Sequence, residues 1–97
     1  MIKKRDKVDI GLSALFTLCS NTTDDKLREC LIDLFLSEQE KKSLSDRYWV
    51  LKALVQSEQT QRVMAEELQV SIAKITRGSN ELKRIDKKLL ALLKENL

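Results

Sequence analysis

The stretch TQRVMAEELQVSIAKITR, residues 60–77, decides the fold of this chain, because its pattern predicts two short helices around a tight break. Thr60 and Ser71 stand where the two helices would begin, and their hydroxyl groups can accept hydrogen bonds from first-turn amides. We expect helices over 61–68 and 72–84 and the break at 69–71. Two helices that cross at a steep angle around such a short turn form a helix-turn-helix.

The side chains of this stretch meet the packing needs of that motif. Ala65 is small where the second helix must approach closely. The break contains no Gly, so Gln69 or a neighbour is expected to adopt the left-handed conformation, at a cost of about 1 kcal/mol. Four apolar side chains can fill the core between the two helices: Met64, Leu68, Val70 and Ile75.

The outer face of the second helix carries side chains suited to DNA. In helix-turn-helix proteins the N-terminal end of this helix reaches base edges, and the first helix lies across the backbone. Basic side chains reach phosphate or guanine, and small or hydroxyl side chains contact thymine methyl groups or water. The predicted DNA-binding residues are Gln61, Arg62, Ser71, Ile72, Ala73, Lys74, Thr76 and Lys83.

The charge distribution agrees with a DNA-facing second half. Residues 1–59 carry ten basic and ten acidic side chains, whereas residues 60–97 carry eight basic and five acidic ones. The whole net charge of +3 therefore lies in the segment that contains the predicted reading helix.

The rest of the chain is also predicted to be helical, which makes the fold all-α. The 97 residues include no Pro and two Gly, which favours long helices over turn-rich β structure. Apolar residues recur at three- and four-residue steps and predict helices near 7–20, 24–36, 37–57 and 86–97. Residues 1–7, rich in basic side chains, are predicted to form a mobile arm.

Three further helix starts are expected from capping residues. Thr23 would cap the second helix, Ser37 would open a capping box with Glu40, and Asp86 would cap the last helix. The third helix, the longest, is predicted to be the scaffold. Its expected inner side consists of Leu44, Tyr48, Leu51, Leu54 and Val55.

Composition narrows the possible functions. The chain has no His, and Cys19 and Cys30 lack the spacing of zinc ligands, so neither a metal site nor His-based catalysis is predicted. No nucleophile, base and orienting group are visible together, so we predict that the chain is not an enzyme. Without a signal peptide or an apolar run of 18 residues, we expect no membrane association and a cytoplasmic location.

One segment resembles a known family. The string ITRGSN at 75–80, followed by Glu81, Leu82 and Lys83, is similar to a highly specific string of the tryptophan repressor family. The similarity extends back through LFLS at 34–37 and Arg47 and covers about residues 27–97. It implies an intertwined homodimer with one domain, 1–97, in each subunit. Segments 7–57 and 86–97 would form the dimer core, and segment 60–84 would form a helix-turn-helix head that binds double-stranded operator DNA.

The resemblance also implies L-tryptophan as a corepressor bound between core and head. Arg47 and Arg77 would flank the indole ring, because a guanidinium plane stacks on an aromatic face, and Arg77 would pair with the ligand carboxylate. Gly78 would leave room for the ring. The ligand ammonium would donate to the carbonyls of Leu34 and Leu36 and to the hydroxyl of Ser37.

Glu81 is a departure from the family pattern. It stands where family members have a Ser that helps hold the ligand carboxylate, so its like charge is expected to weaken binding unless it faces solvent or pairs with Lys83 or Arg84. The leading hypothesis is a tryptophan-activated repressor of tryptophan metabolism genes. Glu81 motivates the alternative of a ligand-independent helix-turn-helix regulator. A helical interaction module without a DNA role is the third hypothesis.

Overall fold

The computed structural model describes the backbone of residues 4–97 and the side chains of residues 6–97, and this part of the chain contains six helices and no strand. The predicted all-α fold is therefore confirmed. The chain forms two compact units, Met1–Ser37 and Glu38–Leu97. Its helices are α1 (Lys4–Asn21), α2 (Asp25–Phe35), α3 (Glu38–Gln56), α4 (Gln61–Leu68), α5 (Ile72–Leu82) and α6 (Lys87–Asn96). Among them, none combines the length and the apolar character that crossing a membrane requires.

The first unit consists of α1 and α2. Asp24, rather than the predicted Thr23, caps α2, because the Asp24 carboxylate accepts a hydrogen bond from the Leu27 amide at 3.0 Å. The Arg28 side chain donates to the backbone oxygens of Cys19, at 3.4 Å, and Thr22, at 2.6 Å, and so ties α2 to the end of α1.

The predicted mobile arm is partly wrong. Residues 4–7 belong to α1, since the segment has no Pro or Gly to stop the helix from extending toward the N-terminus. Residues 1–3 of that predicted arm lie outside the described residues.

The second unit is built on α3, against which α4, α5 and α6 pack. Its core is small: Val50 of α3, Met64 of α4 and Ile75 of α5 are the fully buried hydrophobic residues of the described chain. Partly buried side chains surround them: Ala53, Leu54, Ala65, Leu68 and Val70. The predicted core of the helix-turn-helix is thus present, with Val50 as an additional member.

The predicted inner side of α3 is partly wrong. Val50 is 2% exposed, whereas Leu44 and Tyr48, which we expected inside, are 51% and 45% exposed. Apolar residues occur on more than one side of α3, so periodicity alone does not choose the side on which α4 and α5 dock.

The turn between α4 and α5 has the predicted form. The Thr60 and Ser71 hydroxyl groups accept hydrogen bonds from the amides of Val63 and Lys74, each at 3.3 Å. Gln69 has φ 56° and ψ 43°, the left-handed conformation expected within the break. Its amide and the amide of the next residue donate back into the last turn of α4, which is a Schellman motif.

The remaining helix boundaries are close to those expected from the sequence. Helix α5 ends at Leu82 rather than at residue 84, and a turn follows it. Asp86 caps α6 as predicted, since its carboxylate accepts from the Leu89 amide at 2.8 Å. Helix α3 begins at Glu38, directly after Ser37.

Candidate functional site

A cavity of about 300 Å³ lies between α3 and α5, inside the second unit. This volume is at the lower end of the range of small-molecule sites, which is roughly 300–1,000 Å³. The wall from α3 consists of Ser43, Arg47, Val50 and Leu51, and the wall from α5 consists of Lys74, Arg77, Gly78 and Glu81. Both sets follow helical spacing, because residues three, four and seven positions apart share one face of a helix.

Gly78 lets the two walls approach each other. A Cβ atom on Gly78 would lie 2.8 Å from Val50 Cγ1 and 3.2 Å from Leu54 Cδ1, both closer than ordinary van der Waals contact. The space that Gly78 leaves on this side is therefore filled by α3 side chains. Glycine at this position serves helix packing, whereas its role in admitting a ring, which we predicted from the sequence, stays a prediction.

Four charged side chains line the cavity, and three of them are available to a ligand. Arg47, Arg77 and Glu81 are exposed, and within residues 6–97 none of them forms an ion pair. Glu81 in particular does not pair with Lys83 or Arg84. The cavity thus combines an apolar inner wall with two guanidinium groups and one carboxylate at its edge.

The fourth charge, on Lys74, has a partner within the chain. Its ammonium lies 3.0 Å from Oδ2 of Asp46 on α3, and the Lys42 ammonium lies 3.2 Å from the same oxygen. Hydrogen bonds from Lys74 and then from Lys42 hold the pKa of the Asp46 carboxyl below its usual value. Of the predicted DNA-binding residues, Lys74 is therefore the one that the structure ties to α3.

The predicted reading face lies on the exposed side of α5. Ile72 is 52% exposed, and Ala73 and Thr76 are also exposed. The Thr76 hydroxyl donates to Oε1 of Gln61 at 3.1 Å, which joins α5 to the start of α4. Because Ser71 caps α5, the free amides of the first turn point outward at the end that would meet a phosphate.

The remaining predicted site residues are more scattered. Arg62 is exposed on α4 and lies 3.9 Å from Glu66, and Lys83 is exposed directly after α5. The residues predicted to bind the ligand ammonium, namely Leu34, Leu36 and Ser37, stand at and after the end of α2. They belong to the first unit and the cavity belongs to the second, so their part in one common site stays a prediction.

Sequence reasoning missed four cavity residues and one ion-pair partner. One of the four is Lys74, which we predicted only as a DNA-binding residue. Ser43, Val50 and Leu51 lie four positions before and three and four positions after Arg47, so helical spacing from Arg47 was a sufficient signal for them. Asp46 had no comparable signal, since its partner on α5 is 28 positions away.

Comparison with known proteins agrees with this architecture. Residues 10–97 match the family model described as Trp repressor protein. A Trp operon repressor homolog of Chlamydia trachomatis serovar D is 41% identical over 93 residues, which covers 96% of this chain and 99% of that protein. The homolog from Chlamydia caviae is 39% identical over 84 residues, covering 87% and 83% of the two chains. The homolog from Vibrio parahaemolyticus is 37% identical over 83 residues, covering 82% and 81%. On the strength of this match over nearly the full length, the chain belongs to the Trp repressor family.

Proposed function

We propose that this chain is a transcriptional repressor that binds operator DNA as a homodimer when L-tryptophan is bound, and that it controls genes of tryptophan metabolism in the cytoplasm. Membership of a family of DNA-binding regulators, rather than of enzymes, supports the general role. The observation that carries the ligand-dependent role is the cavity between α3 and α5, with Arg47 and Arg77 at its edge.

The cavity suits an indole ring with a charged amino acid group. Val50 and Leu51 offer an apolar wall to the ring, and a guanidinium plane stacks well on an aromatic face. Arg77 also offers paired N–H donors to the ligand carboxylate. Glu81, one turn further along α5, attracts an ammonium group and repels a carboxylate, so it favours a ligand whose carboxylate lies toward Arg77.

This arrangement also follows the dipole of α5. The basic residues of the cavity, Lys74 and Arg77, lie in the first and middle parts of the helix, and Glu81 lies in its last turn. The partial positive charge at a helix N-terminus favours anions at the same end. A zwitterionic ligand whose carboxylate points toward the start of α5 matches both the side-chain charges along the cavity and the helix dipole.

On α5, the exposed residues Ile72, Ala73 and Thr76 of the predicted reading face lie opposite the cavity, whereas Lys74 lines it. A ligand that contacts the cavity side of α5 would therefore affect the position of the helix that would enter the major groove. Tryptophan strengthens DNA binding by as much as it favours the DNA-competent position of the head, which for allosteric coupling is typically about 1–3 kcal/mol.

A second copy of the chain would cover apolar surface that is otherwise exposed. Among the described residues of the first unit, nine large apolar side chains are exposed, including Phe16 at 73% and Leu34 at 77%. A monomeric soluble protein rarely exposes so many apolar side chains together, and the fully buried core is small. The proposed intertwined dimer core, 7–57 and 86–97, would bury this surface. Analytical ultracentrifugation tests it, because a monomer at micromolar concentration would exclude a stable dimer.

Calorimetric titration with L-tryptophan, combined with DNA titrations in its presence and absence, tests the ligand-dependent function. Arg47→Ala and Arg77→Ala should each weaken ligand binding about tenfold or more, as expected when a charge-assisted hydrogen bond or a stacked cation is lost. Arg84→Ala is the matched control, because Arg84 is exposed near the end of α5 but does not line the cavity. Absence of binding heat together with unchanged DNA affinity would reject tryptophan as the corepressor.

Glu81 also supports a second candidate function, a DNA-binding regulator that needs no ligand. Its carboxylate, which forms no ion pair within residues 6–97, stands at the cavity edge where similarity to the family implies a Ser that helps hold the ligand carboxylate, so it would repel that carboxylate. This candidate predicts equal affinity for DNA with and without amino acids. A tryptophan-dependent shift in an electrophoretic DNA-binding assay would exclude it.

A further inference from the structure

Asp46 and Lys74 form an ion pair between the scaffold helix and the predicted reading helix. The Lys74 ammonium lies 3.0 Å from Asp46 Oδ2, across 28 positions of sequence. Lys74 is the third residue of α5, at the end where helix-turn-helix proteins approach the DNA. The basic residue nearest the N-terminus of the reading helix is thus already in contact with a carboxylate.

The pair is more shielded from solvent than the other ion pair of the head. The Asp46 side chain is 18% exposed and the Lys74 side chain is 49% exposed. Asp46 also accepts a second ammonium, from Lys42, at 3.2 Å. By contrast, Arg62 and Glu66 are 83% and 72% exposed and lie 3.9 Å apart, which is a weak surface pair. Lys42 and Lys74 also keep the pKa of Asp46 low, so the carboxylate is ionised at neutral pH.

We propose that Asp46 is a positioning residue for DNA binding, which holds the Lys74 ammonium against α3 and so withholds one basic group from the DNA phosphates. The proposal rests on the DNA-binding function proposed above. A duplex that recruits Lys74 must compete with Asp46 for it, and Asp46 also places a negative charge behind the reading helix. The resulting affinity for DNA of any sequence is lower than the basic residues of the head would otherwise provide.

A purely structural role for the pair predicts a different outcome. If the ion pair only fastened α5 to α3, its removal would loosen the head and weaken DNA binding. If Asp46 withholds Lys74, its removal strengthens DNA binding and adds one phosphate contact. The salt dependence of binding separates the two, because its slope reports the number of phosphates neutralised, about 0.9 for each contact.

The experiment measures binding of the full chain to a fluorescein-labelled duplex of mixed sequence by anisotropy, over a salt series from about 50 to about 200 mM. Asp46→Asn should tighten binding by about tenfold at the low-salt end and steepen the slope of log K against log salt by about 0.9. Asp46→Glu keeps the negative charge and should bind DNA like the wild type. Lys74→Gln removes the group that Asp46 acts on, so in that background Asp46→Asn should change neither affinity nor slope.

Three outcomes would overturn the proposal. The first is unchanged or weaker binding by Asp46→Asn, with thermal unfolding showing that the variant is folded. The second is equal tightening in the wild-type and Lys74→Gln backgrounds, which would show a general charge effect instead of release of Lys74. The third is a wild-type chain without salt-dependent DNA binding, which would reject the DNA-binding function itself. In the first two outcomes that function stands and only the role of Asp46 falls.

Discussion

Replacing Gly78 with Ala tests how tightly α5 is packed against α3. The added Cβ would lie 2.8 Å from Val50 Cγ1, and Val50 is a β-branched, 2% exposed side chain with little freedom to move. Overpacking of this kind costs about 1–3 kcal/mol. Ala is favoured over Gly inside a helix by about 1 kcal/mol, which offsets part of that cost. We therefore expect Gly78→Ala to destabilise the protein by about 1 kcal/mol.

The effect of Gly78→Ala on folding stability should change sign in a chain that also carries Val50→Ala. Val50→Ala removes the Cγ1 atom and by itself costs about 2 kcal/mol, from lost burial and the space left behind. In that background the methyl group of Gly78→Ala meets Leu54 Cδ1, the far end of a flexible side chain, at 3.2 Å. The helix preference then dominates, and we expect a stabilisation of about 1 kcal/mol. The coupling energy between the two positions is thus about 2 kcal/mol.

Thermal and denaturant unfolding of the four chains, at one fixed protein concentration, measures this cycle. A change of 1 kcal/mol corresponds to roughly 4–8 °C in melting temperature for a chain of this size. Gly11→Ala is a reference for the helix preference, because among the described residues nothing lies within 4 Å of a Cβ at that position. The steric explanation is refuted if Gly78→Ala shifts stability in the same direction with and without Val50→Ala.

A left-handed residue, a helix cap and an ion pair each affect the folding stability of the chain. Gln69→Gly should stabilise the chain by about 0.5–1 kcal/mol in denaturant unfolding. Gly relieves the strain of the left-handed conformation, although its more flexible unfolded state offsets part of that gain. Equal stability of Gln69→Gly and Gln69→Ala would contradict this. Ser71→Ala should lower the folding stability by about 1 kcal/mol, because it removes the cap of α5. Ser71→Thr keeps a capping hydroxyl and should keep most of that stability. The pKa of Asp46 is lowered by Lys74 and Lys42, so its stabilisation is present above the pKa of the unfolded chain and is lost as pH falls through the lower folded value. The melting temperatures of the wild type and Asp46→Asn should therefore differ at pH 7 and converge in acid, and a constant difference down to the acid limit would rule out this linkage.

Helix ends were the most predictable part of the fold, because a cap depends on neighbouring residues only. Thr60, Ser71 and Asp86 cap helices as expected from the sequence. At the start of α2 two adjacent residues, Thr23 and Asp24, can both accept the amide hydrogen bond, and sequence pattern does not distinguish them.

Packing between helices was less predictable, because it depends on residues far apart in the chain. Val50 became the buried residue of α3 only through the docking of α4 and α5, which bring Met64 and Ile75 onto that side. Similarity to the family pointed to Arg47, Arg77, Gly78 and Glu81, and the cavity brings these four together. No local pattern indicates the pairing of Asp46 with Lys74, since it requires the relative position of α3 and α5.

Val50 belongs both to the buried core and to the wall of the cavity. Evolution cannot adjust the depth of the cavity at Val50 without also changing the folding stability of the head. For the proposed ligand site, a new ligand range is therefore easier to reach through the exposed positions Ser43, Arg47 and Glu81, where substitutions cost little folding energy. Related proteins that differ in ligand selectivity should therefore differ at these exposed positions and retain Val50.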